Sequence, residues 1–215
     1  GDDLFIFDTT PADLVYLDAV EGIDRVVVEV VSAAPMSFRA EDIFDWGNFF
    51  GGARFEPYGP SIEFMNVEDV QFTGTAANDS FKLLIGTQTS AVVNFDGGPG
   101  VDYLEFDFSR VATDMTFDAS GATITSSFGA FAGLEQFFIK GGAGNDLIGT
   151  GNLADIVWTG TGTDTVNTGA GDDEIYSEST AGTIDLGQGF DGYGGNLSAA
   201  TTALTISLGA TIQIS

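Results

Sequence analysis

The chain of 215 residues has no cysteine and no histidine, and its six lysines and arginines face 32 aspartates and glutamates, a formal charge of −26. The first two absences exclude disulfides and remove thiolate and imidazole ligands for zinc, copper, haem and iron–sulfur centres. They also exclude Cys-His and Ser-His-Asp catalysis. Only oxygen donors remain, and carboxylates with carbonyls suit hard cations, calcium above all. The scarcity of positive charge repels nucleic acid and anionic membranes. Beyond Lys140 the shortage is complete, with nine acidic residues and no basic one. No apolar run approaches the roughly 20 residues of a membrane span, and "VVVEVV" at 26–31, interrupted by Glu29, reads as a strand. Gly1-Asp2-Asp3, ahead of the first apolar residues, does not read as a signal peptide. There is no nucleophile elbow, phosphate-binding loop or basic patch, and a pair of catalytic carboxylates cannot be singled out among 32. The chain therefore reads as a non-enzyme.

What is present is a core's worth of apolar side chains, 43% of the residues with 19 phenylalanines, together with 30 glycines. That composition argues for a folded chain. The glycines are phased. "GGAGNDLIG" at 141–149 is followed by "TGNLADIVW", "TGTGTDTVN" and "TGAGDDEIY", in register nine residues apart. Glycine recurs at 142, 151, 160 and 169, a second glycine at 144, 162 and 171, and aspartate at 146, 155, 164 and 173. Two residues beyond each aspartate stands Ile148, Val157, Val166 or Ile175, and the phase returns at Gly187, Gly189, Asp191 and Tyr193. Glycine permits tight turns with accessible carbonyls, aspartate adds a charged oxygen, and the aliphatic points inward from a short strand.

This pattern resembles the repeats-in-toxin (RTX) nonapeptide, G-G-x-G-x-D-x-U-x, a calcium-binding β-helix repeat. The resemblance implies that each nonapeptide is half a coil, with Asp146 stacked over Asp164 on one edge and Asp155, Asp173 and Asp191 on the other. It implies calcium at the turns made by Gly142, Gly144 and Asp146; Gly151 and Asp155; Gly160, Gly162 and Asp164; Gly169, Gly171 and Asp173; and Gly187, Gly189 and Asp191. Each ion would convert the repulsion between stacked carboxylates into an oxygen cage. Leu153 and Ala77 stand where glycines are expected, and Gly182 where an aspartate is.

A larger repeat lies beneath. Residues 67–81 align without gaps on 134–148, pairing Asp79 with Asp146, and residues 100–117 align on 189–206, pairing Asp102 with Asp191. Residues 22–38 fit the second template with one residue fewer. Asp79, and Asp102 with Gly98 and Gly100, thus become further calcium-turn candidates. The expected organisation is a preceding repeat's tail at 1–21, with Asp3 in the ligand column and Phe5 in the core column. A first unit follows at 22–96, a second at 97–186 containing the main run 141–176, and a truncated third at 187–215. The chain reads as a segment of a longer repetitive protein.

Alternating strands such as "DYLEFDF" predict an all-β fold, a right-handed parallel β-roll or β-solenoid with calcium-binding glycine-aspartate turns. One short helix is expected within 37–50, started by Ser37 or Glu41-Asp42 and ended by Gly51-Gly52. Trp46, Phe49, Phe50 and Phe55 read as a cap on the end of the solenoid, and Glu41, Asp42 and Asp45 as a solvated helix start rather than a chelate. The resemblance implies a structural module of a secreted or surface bacterial protein, a surface layer or giant adhesin, exported in one step and folding outside where calcium is plentiful. The alternative is a non-catalytic accessory module of an extracellular hydrolase or polysaccharide-modifying enzyme. Expected partners are calcium ions, neighbouring repeats or copies of the protein, and cell-surface polysaccharide, with no nucleic acid and no membrane insertion.

Overall fold

The computed structural model describes residues 1–7, 15–19, 23–29, 34–41, 49–55, 61–86, 92–196, 198, 203–208 and 211–212. Its named elements are all β-strands: β1 (Leu4–Phe7), β2 (Val15–Asp18), β3 (Arg25–Glu29), β4 (Met36–Glu41), β5 (Phe49–Phe55), β6 (Ser61–Val67), β7 (Asp69–Thr73), β8 (Ser80–Leu84), β9 (Val92–Asp96), β10 (Tyr103–Asp107) and β11 (Thr116–Asp118). These are followed by β12 (Thr125–Ser126), β13 (Gly129–Ala132), β14 (Gln136–Lys140), β15 (Leu147–Gly149), β16 (Ile156–Trp158), β17 (Thr163–Asn167), β18 (Glu174–Ser177), β19 (Ala181–Asp185), β20 (Phe190–Gly195), β21 (Leu204–Ser207) and β22 (Thr211–Ile212). The fold is all-β with largely parallel sheets. The chain divides into two compact units, Gly1–Glu105 with Phe128–Leu134, and Phe106–Ser127 with Glu135–Ser215.

In the first unit, β1, β3, β7, β9 and β13 form one sheet in that order, joined by parallel pairings. Period-two patterning puts Val26 and Val28, Val70 and Phe72, and Val93 and Phe95 on its buried face, in register from strand to strand. A second set runs β2-β6-β5-β4-β8-β10. Phe38 and Phe81 come from that set, and they stack at 4.7 Å while Phe72 and Phe95 stack at 5.6 Å. Tilted contacts of 4.9 and 5.0 Å close the four rings into one cluster, and all four are essentially excluded from water.

The helix expected within 37–50 is not formed where the chain is described. Residues 36–41 are β4 and 49–55 are β5, an antiparallel pair that continues into β6. Met36, Phe38 and Ala40 alternate inward while Ser37 and Arg39 turn out, and β8 pairs in parallel along the same strand. Burial of that period-two face overrides the helix-start residues, as tertiary packing commonly does. Asp42, Asp45 and Trp46 lie outside the described residues.

The second unit holds two parallel stacks. One runs β11-β15-β17-β19-β21 with β12 antiparallel on β11, the other β14-β16-β18-β20-β22. Consecutive strands alternate between the stacks, so from β15 to β20 partners lie 18 residues apart, Ile148 on Val166 and Val157 on Ile175. Near its start this core is aromatic, with Phe117 edge-on to Phe106 at 5.4 Å and to Phe137 at 5.5 Å. Along the nonapeptides it narrows to Ile148, Val157, Val166, Ile175 and Ile184, all buried. The long-range copies are structurally equivalent: β7 and β8 correspond to β14 and β15, and β10 and β11 to β20 and β21.

Phe72 touches rings on two sides in a site closed to water. Phe72→Ala is expected to cost about 3–5 kcal/mol, read as a lowered urea midpoint at unchanged slope. A cost near zero would contradict the ring cluster.

Candidate metal centre

Every aspartate of the nine-residue column is buried, as are Asp79 and Asp102. Each uses one carboxylate oxygen to hold a neighbouring coil. Asp164 Oδ1 accepts the main-chain N–H of Asp146 at 2.9 Å, joining those two on one edge. On the other edge, Asp155 accepts Phe137 N–H at 2.8 Å, Asp173 accepts Asp155 N–H at 2.8 Å, and Asp191 accepts Asp173 N–H at 3.1 Å. Asp102 accepts Asp79 N–H at 2.6 Å within the first unit. The aspartate ladder therefore supplies hydrogen bonds parallel to those of the sheets.

The second carboxylate oxygen separates the turns into two kinds. In the first kind the N–H of the glycine four residues earlier turns back to it: Gly142 to Asp146 Oδ2 at 3.1 Å and Gly151 to Asp155 Oδ2 at 3.2 Å. In the second kind that glycine is left-handed, with φ of 74° at Gly160, 84° at Gly169 and 75° at Gly187. At Gly169 and Gly187 the N–H points instead to the residue two before, Asn167 Oδ1 at 3.1 Å and Asp185 Oδ1 at 3.2 Å. The column aspartate is then left with a vacant oxygen. For Asp164 the Ser179 hydroxyl fills the place at 2.5 Å. For Asp173 and Asp191, Oδ2 is buried and has no hydrogen-bond partner among the described residues. The Thr168 hydroxyl lies beside Asp173, but it donates its single proton to the Leu186 carbonyl at 3.0 Å.

Backbone approach requires glycine at 142, 160, 169 and 187, but not at 151, where a Cβ would meet nothing nearer than 3.5 Å. A Cβ on Gly187 would overlap the carbonyl oxygen of Gly169, the same turn position one coil earlier. The stacked turns also bond directly, Ala170 N–H to Gly151 O at 3.1 Å and Gln188 N–H to Gly169 O at 2.9 Å.

Burial pushes Asp173 up to about 6, opposed by the hydrogen bond from Asp155 N–H and by the adjacent Thr168 hydroxyl, while the nearby charges of Asp155 and Asp191 add to the rise. Asp146 also rises to about 6, mainly from burial. Asp155 and Asp164 are raised by burial as well. A cleft of about 540 Å³ opens here, lined in part by Asp172, Asp173, Glu174 and Asp191. No three acidic side chains among the described residues converge closely enough to hold an ion by themselves. A cation at Asp173 and Asp191 needs main-chain carbonyls as well, and calcium accepts such mixed oxygen sets. Buried, unpartnered carboxylate oxygens with no lysine or arginine after Lys140 fit such an ion.

Asp79 is different. Its Oδ1 accepts Met36 N–H at 2.5 Å and the Thr75 hydroxyl at 3.1 Å, and its Oδ2 accepts Thr75 N–H at 2.5 Å, so the protein satisfies it without an ion. Asp102 follows a left-handed Gly98, whose N–H again points two residues back, to Asp96 Oδ1 at 3.1 Å. At the start of the chain Asp3 donates its N–H to Asp24 at 2.7 Å with its own side chain exposed, and Phe5 is half-buried.

Three features escaped the sequence reading. Thr150 with Thr168, and Thr159 with Ser177, form two buried hydroxyl columns, one beside each strand stack; Thr150 bonds Thr168 O and Thr168 bonds Leu186 O, both at 3.0 Å. Their nine-residue spacing was the signal. Asp24 is a ladder member whose own N–H is held by Glu68 Oε2 at 2.7 Å, and its G-x-D context announced it. An Asn or Asp two residues ahead of the glycine marks the left-handed turns at 169 and 187.

Gly187→Ala is expected to destabilise by about 2 kcal/mol or more, from overlap and left-handed strain together. Gly121→Ala, whose Cβ meets nothing nearer than 3.8 Å, should be close to neutral, and equal melting shifts for the two would contradict the stacked turns. The raised carboxylates set a pH dependence. Without divalent cations, Asp146 and Asp173 bind protons more tightly folded, at about 6, than unfolded, at 3.8. Folding is therefore stabilised as pH falls through about 6 towards about 4. Burial pushes Asp107 up, but hydrogen bonds from Ser109 and Lys140 hold it below the usual range, so it acts oppositely only in stronger acid. The melting temperature in chelator should rise by about 5 °C from pH 7 to 4.5, and a fall over that window would contradict the assignment.

Comparison with protein-family models and with curated proteins yields no match for this chain.

Proposed function

We propose that the chain is a calcium-ordered structural module: a right-handed parallel β-solenoid of RTX type in a secreted or surface-exposed bacterial protein, with no catalytic role. The observation that carries this reading is the pair of buried, unpartnered carboxylate oxygens of Asp173 and Asp191, stacked one coil apart in left-handed glycine turns. Strands that alternate between two parallel stacks every nine residues suit a solenoid whose edges are those turns. Calcium supplies the positive charge this part of the chain lacks. Asp173 and Asp191 hold it through Oδ2, and turn carbonyls complete the oxygen set.

Extracellular calcium sites typically have a Kd of roughly 10⁻⁴ to 10⁻³ M, so they fill outside cells and stay empty in calcium-poor cytosol. A chain of charge −26 then repels itself before export and consolidates after it. The array serves as a spacer or lattice element, packing against neighbouring repeats or copies.

The test is thermal melting by circular dichroism with calcium and with EGTA. One site held at 100 times its Kd contributes about 2.7 kcal/mol to the folded state. The wild-type chain should gain strand signal and melting temperature in millimolar calcium. Asp173→Asn/Asp191→Asn should invert the comparison: in EGTA it melts above wild type, because buried charge is removed, and in calcium below it, because the ion is lost. A wild-type melt that is the same in calcium and EGTA overturns the reading.

A further inference from the structure

A second site of different character lies on the outer face of the second unit. Trp158 and Tyr176 are adjacent in the register of β16 and β18, their rings 5.5 Å apart, and they are 49% and 45% exposed. On β14 the register partner of Trp158 is Lys140, and Phe138, two residues before it, lies 6.4 Å from the Trp158 ring. Around them the outward positions of this face carry Lys140, Ile156, Glu174, Gly192 and Gly194. The next register position after Tyr176 is Gly194, which leaves the row open and lets the tyrosine ring lean across the neighbouring strand. The Tyr176 hydroxyl donates to Glu174 at 2.9 Å, fixing the ring.

Beside the rings runs a cleft of about 870 Å³, large enough for several sugar units, with Lys140, Asp107, Glu178 and Asn196 among the residues at its margins. Lys140 is already committed, its Nζ 3.2 Å from Asp107 Oδ2 and 4.9 Å from the Phe138 ring centre.

We propose that this cleft binds a neutral polysaccharide. The negative faces of the rings attract the polarised C–H groups of a pyranose, and the rings pack on its apolar face. The carboxylates, amide and hydroxyls at the margins match sugar hydroxyls. Charge selects among glycans. Asp107, Glu174 and Glu178 lie around the rings, and Lys140, the cation among the described lining residues, is paired with Asp107, so uronic-acid or sulfated chains are repelled. An aromatic row also strengthens cross-strand packing, but packing requires neither the cleft nor the polar margin. None of the ring-bearing residues is a ladder aspartate, although Gly142 and Gly160 of the glycine-aspartate turns also line the cleft.

The test is affinity electrophoresis of the whole chain, in calcium, through native gels cast with dextran, hydroxyethyl cellulose or yeast mannan, with alginate as the anionic comparison. Retardation is expected in at least one neutral gel and not in alginate. Trp158→Ala and Tyr176→Ala, both at exposed positions, should each weaken retention about tenfold, with unchanged circular dichroism. Trp158→Phe should keep most of it. Migration unaffected by all three neutral glycans overturns the proposal, as does equal retention in alginate or retention that survives Trp158→Ala. Sedimentation showing a dimer that Trp158→Ala dissolves, with no glycan effect, would assign the cleft to a second copy of the chain instead.

Discussion

A carboxylate withdrawn from water must be met by hydrogen-bond donors or by a positive charge. This chain withdraws one at every turn of its nonapeptide run, and after Lys140 it has no basic side chain with which to meet any of them. Each buried aspartate secures the coil before it through one oxygen, so the ladder both creates the electrostatic problem and holds the strands in register. Asp146 and Asp155 find their second donor in a glycine N–H, and Asp164 finds it in Ser179. Asp173 and Asp191 do not. The series runs from turns whose carboxylates the protein completes to turns whose second oxygen it leaves without a donor.

That difference originates in the main chain. A left-handed glycine takes its N–H away from the column aspartate and gives it to an Asn or Asp two residues back, as at Gly169 and Gly187. The same glycine must also lack a side chain, because the carbonyl of the turn below occupies the space. Close stacking of turns, strand spacing and the vacant oxygens are therefore one geometric fact. The narrow core follows too. Coils this short leave room for a single aliphatic per strand, Val157 or Ile175, whereas the first unit has room for a cluster of phenylalanines.

Much of this was legible in the sequence, because a strict nine-residue period leaves few alternatives for which residues stack. The strand positions and the inward aliphatics follow from spacing, and the pairing of Asp146 with Asp164 and of Asp155 with Asp173 and Asp191 follows once the RTX resemblance makes each nonapeptide half a coil. What spacing could not distinguish was the turn type. Gly142 and Gly160 occupy the same column, yet only Gly160 is left-handed. Nor could local pattern decide residues 37–41, where a helix-start composition coexists with the inward alternation of Met36, Phe38 and Ala40, and where long-range pairing with β8 determines the outcome. Trp158 and Tyr176 stand at a fixed 18-residue interval, but a row of rings becomes visible only once the strands are placed side by side.

The most direct measurement is a crystal structure of the chain grown in millimolar calcium, with anomalous diffraction to locate the ions. An anomalous peak is expected about 2.3–2.6 Å from Oδ2 of Asp173 and of Asp191, with turn carbonyls in the same shell. Both oxygens met only by protein donors or water, in crystals saturated with calcium, would contradict it.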